Sequence, residues 1–228
     1  MAKFSKIVTE TGENLLINKF IERFKGLLRK KLKISKRFSF VLTGGKSPIN
    51  LYKKLAKAKE LEWSKVDFFI GDERYVKESS KNSNIKLCKK HFLNKIRISK
   101  KQIFKVPTSS NSLKIDSFKY EKNIRNYFFK KKISFDLILL GLGKDGHIAS
   151  LFKKNINKKN KKMVDFVKKK DFFRITLTIK CINKSRYIYV WAPGKEKSII
   201  IKKILSDNYL KYSASHLRKR NTFLFHCD

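Results

Sequence analysis

Phe135-Asp136-Leu137-Ile138-Leu139-Leu140-Gly141-Leu142-Gly143-Lys144-Asp145-Gly146-His147 decides the fold. Its unbroken apolar run is too short for a helix and reads as a strand buried on both faces, the kind found at the centre of a parallel sheet. Three glycines then end the strand and shape a tight loop that presents Asp145 and His147.

Working outward, strand-length apolar runs alternate with segments at helical spacing. Phe38–Leu42 reads as a strand ending at Thr43-Gly44-Gly45, and Pro48 opens a helix over 48–59 with Ile49, Tyr52, Leu55 and Ala56 on one face. Val66–Ile70 is a second strand, followed by a helix over 83–93 that buries Ile85, Leu87, Cys88 and Phe92. A helix over 113–129, with Phe118, Ile124 and Phe128 inward, leads into the central strand. Strands over 175–179, 187–191 and 222–225 follow, with a helix over 195–205 after Gly194. The alternation predicts an α/β chain with a parallel sheet covered by helices. Half of residues 153–170 are lysine, which predicts a long exposed loop within a single domain spanning 1–228.

The chain has 228 residues and a formal charge of +39. Arg accounts for 10 of the 57 basic residues, and a surface that reads nucleic acid favours Arg for its planar fork. Lys spread from end to end fits solvated faces instead, so no specific nucleic-acid partner is expected. The excess charge still draws anions over a Debye length of about 8 Å. No apolar run approaches membrane-spanning length and no secretory leader is visible. Cys88, Cys181 and Cys227 are too far apart for a Cys-x-x-Cys metal site and read as reduced thiols of a cytoplasmic protein.

Chemistry gathers where strands end. In Thr43-Gly44-Gly45-Lys46-Ser47-Pro48 two glycines let successive amides point inward at a helix start, a nest for phosphate. In Gly71-Asp72-Glu73-Arg74-Tyr75 the Arg74 fork suits a phosphate, with one acid to orient it, although a solvated turn neutralised by Arg74 reads as well. Lys195, in Pro193-Gly194-Lys195, offers another positive charge. The Gly141 segment is literally G-x-G-x-x-G, with Asp165 about 20 residues on, so a dinucleotide site must be weighed. It fails on context, because Ile156 is the only apolar residue in 153–162, where the following helix would need a buried face. His147, beside Asp145 at the carboxyl end of a strand, is equipped for general base work. No G-x-S-x-G elbow is present, and the His and acidic residues lack metal-site spacing.

The order and wording of these segments resemble the 6-phosphogluconolactonase family over nearly the whole chain. The resemblance rests on Gly44–Pro48, Gly71–Arg74 with Ser83-Asn84, Gly141–Phe152, Arg174–Thr178 and Gly194–Lys197. It implies the fold of sugar-phosphate isomerases and glucosamine-6-phosphate deaminases, a mainly parallel Rossmann-like sheet with helices on both faces. Arg74 after Asp72-Glu73, and Ser150-Leu151-Phe152 after His147-Ile148-Ala149, favour the lactonase over the deaminase branch. The implied activity is hydrolysis of 6-phospho-D-glucono-1,5-lactone without metal or cofactor by a monomer. His147 would be the base and Asp145 its support. Gly44, Gly45, Ser47, Asp72 and Arg74 would form the substrate site, and the amides of Gly141, Gly143 and Gly146 would meet the oxyanion. The family's late lysine falls on Lys197, with Lys195 as the alternative. Lys153-Lys154 where the family has Pro-Gly implies a looser loop, and the end at Asp228 implies a trimmed closing strand and helix.

Overall fold

The computed structural model describes residues 4–129, 132–152, 156, 161–169, 171–206 and 211–228. Two elements precede the first strand anticipated above, β1 (Lys6–Glu10) and α1 (Glu13–Leu32). β2 (Phe38–Leu42), α2 (Ile49–Lys57) and β3 (Val66–Ile70) follow, then β4 (Asp72–Arg74), α3 (Asn84–His91), β5 (Ile103–Phe104) and α4 (Leu113–Tyr127). The second half holds β6 (Leu137–Gly141), β7 (Val164–Lys168), β8 (Phe173–Leu177), α5 (Ile179–Asn183), β9 (Tyr187–Pro193), α6 (Ser198–Leu205) and β10 (Thr222–Cys227).

Seven strands form one sheet in the order β1-β10-β9-β6-β2-β3-β5, and every pairing in it is parallel. Successive side chains of a strand point to opposite faces, and the aromatic contacts show both faces covered. Phe40 meets Phe24 of α1, and Phe68 meets Phe92 just after α3. The next residue along β3, Phe69, packs instead on Tyr127 of α4. The expected sheet with helices on both faces is therefore present.

Three expected elements need correction. Asp72–Arg74 is a strand, not a turn; β4, β8 and β7 form a second, antiparallel sheet. Consequently 153–170 is not loop throughout, because Val164–Lys168 is β7; residues 153–155, 157–160 and 170 lie outside the described residues. Val164 and Val167 are buried there, while lysines on either side mask the short strand in the sequence. The strand expected over 175–179 ends at Leu177, since the Thr178 hydroxyl accepts from the Cys181 N–H and caps α5.

On α4 the inward face is set by Tyr120 and Ile124, four residues apart. Phe118, two positions from Tyr120, lies on the other side and is 69% exposed. β10 closes this end of the sheet, paired in parallel with β9 and with β1.

Candidate active site

β2 and β6 are neighbours, yet the chain goes from β2 outward to β3 and β5 on one side and from β6 outward to β9 and β10 on the other. Such a switch point leaves a crevice at the carboxyl ends of the two strands. An open cleft of about 210 Å3 fills it. Its walls come from Thr43, Gly44, Gly45 and Ser47 after β2, Asp72 and Arg74 of β4, and Asn84 of α3. Gly141, Leu142, Gly143, His147 and Ala149 after β6, together with Arg174 of β8 and Lys197, complete them.

One wall is cationic. Arg74 and Arg174 are register partners across the β4–β8 ladder, so both project to the same face. Arg74 Nη1 donates to Asn82 O at 2.9 Å and to Asn84 Oδ1 at 2.7 Å. Asn84 Nδ2 in turn donates to Asp72 O at 2.7 Å. Gly44 is required beside this group, because a Cβ there would overlap the Asn84 amide. Arg174 Nε is buried with no hydrogen-bond partner among the described residues. Burial, then the neighbouring Arg74 charge, hold the Arg174 guanidinium below its ordinary pKa.

The two acids of this segment divide. Asp72 lines the cleft and accepts from Ser150 Oγ at 2.6 Å. Its charge favours the cationic form of Arg174. Glu73 turns inward and caps α3, accepting from the N–H groups of Asn84 at 2.7 Å and Ile85 at 2.8 Å. Burial raises its carboxyl to about 7 against those hydrogen bonds.

Lys197, not Lys195, reaches the cleft. It is only 7% exposed, and burial pushes its ammonium below the usual lysine range. Lys195 is exposed and does not line the cleft, because the single 3-10 turn of Lys195–Lys197 points the two lysines in different directions.

A second wall is the loop after β6. Asp145 Oδ1 contacts His147 Nδ1, and it also accepts from the His147 N–H at 3.3 Å. Burial would raise the Asp145 carboxyl, but the His147 contact outweighs it and leaves the group below its ordinary value. The His147 ring packs on Phe152, with centroids 4.8 Å apart. Gly143 is required here because a Cβ would collide with both the His147 ring and the Asp145 carboxylate.

The glycine amides are not placed for an oxyanion. Gly143 N–H donates to His147 O and Gly146 N–H to Gly143 O. Gly141 N–H donates to Thr43 Oγ1 at 3.3 Å. All three are consumed in shaping the loop, which corrects the role expected for them. Gly146 also stands outside the cleft lining, against Tyr212. Among the described residues no helix follows: Ile148 bridges Leu142 and Leu151 in a tight turn, against a dinucleotide site.

Thr43, Asn84, Leu142, Ala149 and Arg174 line the cleft without having been singled out as site residues. Arg174 had a signal, a lone guanidinium heading an apolar strand, but only the β4–β8 pairing brings it to Arg74. Among the described residues no group of three His, Cys, Asp or Glu side chains is arranged to hold a metal. Nor is any described helix long and apolar enough to cross a membrane.

Residues 12–224 match the family of glucosamine-6-phosphate isomerases/6-phosphogluconolactonase. A 6-phosphogluconolactonase of Thermotoga maritima is 32% identical over 208 residues, covering 90% of this chain and 91% of that protein. One from Nostoc sp. is 31% identical over 198 residues, covering 84% and 82%. The crystal structure of the Thermotoga maritima 6-phosphogluconolactonase aligns with a TM-score of 0.84 at 29% identity, covering 97% of this chain and 98% of that one. A 6-phosphogluconolactonase from Trypanosoma cruzi shares the fold, with a TM-score of 0.86 at 23% identity over 99% and 96% of the two chains. With its cleft at the expected sheet edge and the match running almost from end to end, the chain belongs to the glucosamine-6-phosphate isomerase/6-phosphogluconolactonase family.

Proposed function

We propose that this protein hydrolyses 6-phospho-D-glucono-1,5-lactone to 6-phospho-D-gluconate, the lactonase step of the oxidative pentose phosphate pathway. The observation that carries this reading is a single cleft that gathers His147, paired with Asp145, and three cations, Arg74, Arg174 and Lys197. The lactonase names of the curated relatives support the same branch of the family.

The cations bind the dianionic phosphate. Gripping the remote end of the substrate converts binding energy into orientation of the C1 carbonyl toward His147. With Nδ1 against Asp145, the imidazole presents Nε2 to a water. Nε2 takes a proton as the water oxygen attacks C1, whose carbonyl becomes the oxyanion of a tetrahedral intermediate. The oxyanion then re-forms the carbonyl and breaks the C1–O5 bond as the imidazolium returns that proton to O5. The product carries a C5 hydroxyl and a C1 carboxyl, which releases its remaining proton to solvent and leaves as the carboxylate. Such proton transfer contributes about 10²–10⁴ in rate. Because the glycine amides are engaged, the oxyanion at C1 is stabilised by the positive field of the cleft rather than by a backbone hole.

The working form is a cytoplasmic monomer acting on a free sugar phosphate, with no nucleic-acid partner and no cofactor. Three unpaired, buried cysteines support that compartment. The deciding experiment is a coupled assay on freshly generated lactone, comparing wild type with His147→Ala and Arg74→Ala. The first should lose turnover and the second should raise KM. Ammonia release from glucosamine 6-phosphate, with no lactone hydrolysis, would overturn the assignment.

A further inference from the structure

β2 and β6 part company where the cleft begins. They pair only at Phe40↔Leu137 and Val41↔Ile138, whereas β6 continues along β9 as far as Gly141↔Trp191. Past Val41 the ladder between β2 and β6 stops, so sheet pairing no longer sets the distance between the turn after β2 and the loop after β6. That distance separates the Gly44-Gly45 turn from His147.

Two side chains tie the halves here: Trp191 Nε1 of β9 donates to Ser47 O at 3.1 Å, at the far end of the turn after β2, and Thr43 meets the root of the His147 loop itself. Thr43 Oγ1 accepts from the Gly141 N–H at 3.3 Å, at the root of the His147 loop. The Thr43 backbone is itself clamped: its N–H donates to the Tyr52 hydroxyl at 3.0 Å, and that hydroxyl donates to Thr43 O at 2.6 Å. Tyr52 is fully buried in α2, the helix that leaves the Gly44-Gly45 turn. Its ring stacks on Phe92 at 5.7 Å, which leaves the hydroxyl little freedom. Cys88 Sγ adds a weak contact to Thr43 O at 3.7 Å. The turn is thus closed at its base by Tyr52 and tied across the cleft by Thr43.

We propose that Thr43, held by Tyr52, is the positioning residue that fixes the span between the Gly44-Gly45 turn, against which Asn84 holds Arg74, and the His147 loop. The inference rests on the lactonase reading above. A substrate gripped at its phosphate reacts only if C1 arrives within contact of the base and its water, and misplacement by about 1 Å can cost about a hundredfold in rate. The Thr43 strut acts on that term and not on the phosphate grip, which belongs to Arg74, Arg174 and Lys197.

The test is Thr43→Val, which keeps the shape and removes the acceptor, beside Thr43→Ser, which keeps it. Thr43→Val should lower kcat on the lactone at least about tenfold with KM and the inhibition constant of inorganic phosphate within about twofold. Thr43→Ser should restore most of the lost kcat. If Thr43→Val does not fold, Thr43→Ala carries the same comparison. Unchanged kcat in the variant, a parallel rise in KM and in the phosphate inhibition constant, or no rescue by Ser would each overturn the strut. An inactive wild type would instead overturn the proposed function, so the two failures are separable.

Discussion

Arg74 and Arg174 stand opposite each other in the register of the β4–β8 ladder, two guanidinium groups on one face of a three-stranded sheet. Like charges directly opposite destabilise a sheet. Asp72, buried between the same strands, offsets part of that repulsion. A dianionic phosphate between the arginines removes the rest, so the repulsion is stored where the substrate binds.

Arg174→Met should therefore raise KM for the lactone about tenfold or more while kcat changes little. The same variant should gain thermal stability without ligand and lose most of the stabilisation that phosphate confers on wild type. Linkage gives wild type about 2.7 kcal/mol when phosphate is present at a hundred times its Kd. Thermal melts with and without phosphate measure both effects.

His147→Ala should lower kcat by at least about a hundredfold, the lower end of what general base catalysis contributes. The ring is a quarter exposed and its ion-pair and aromatic contacts are with side chains of its own loop, Asp145 and Phe152, so the melting temperature should move little. Near-normal turnover in a folded variant removes His147 from the role.

Two glycine substitutions should separate the walls of the cleft. In Gly143→Ala the new methyl displaces the His147 ring and the Asp145 carboxylate, so kcat falls. In Gly44→Ala it displaces Asn84, which holds Arg74, so KM rises. Equal effects of both variants on both constants would contradict the division of labour.

Glu73 makes a pH prediction. Burial raises its carboxyl from 4.5 to about 7, so between those values the native state holds a proton that the unfolded chain releases. Stability contributed by this group is full below about pH 4.5 and is lost as pH rises toward 7, on the order of 3 kcal/mol in all. Urea midpoints measured across that interval should fall less steeply in Glu73→Gln than in wild type.

Much of this was legible in the sequence because it depends on neighbours along the chain. The apolar run before Gly141 announces a buried parallel strand, and Pro48 after two glycines announces a helix leaving a nest. His147 two residues from Asp145 needs no tertiary contact to form a pair. Amphipathic period alone misled at Phe118, where the choice of inward face was made by Tyr120, whose hydroxyl accepts from Ile70 N–H at 3.0 Å and donates to Ile70 O at 2.8 Å.

What the sequence determined by itself was the alternation of strand and helix, the turns that end the strands, and the His–Asp pair. The tertiary structure alone decided that Asp72–Arg74 is a strand, that Arg174 lies 100 residues along the chain yet beside Arg74, and that Lys197 rather than Lys195 enters the cleft. It also decided that the amides of Gly141, Gly143 and Gly146 are spent within the protein. The physical reason is one of range. Backbone propensity and turn chemistry act over a few residues, whereas strand pairing and hydrogen-bond satisfaction are settled only when distant segments meet.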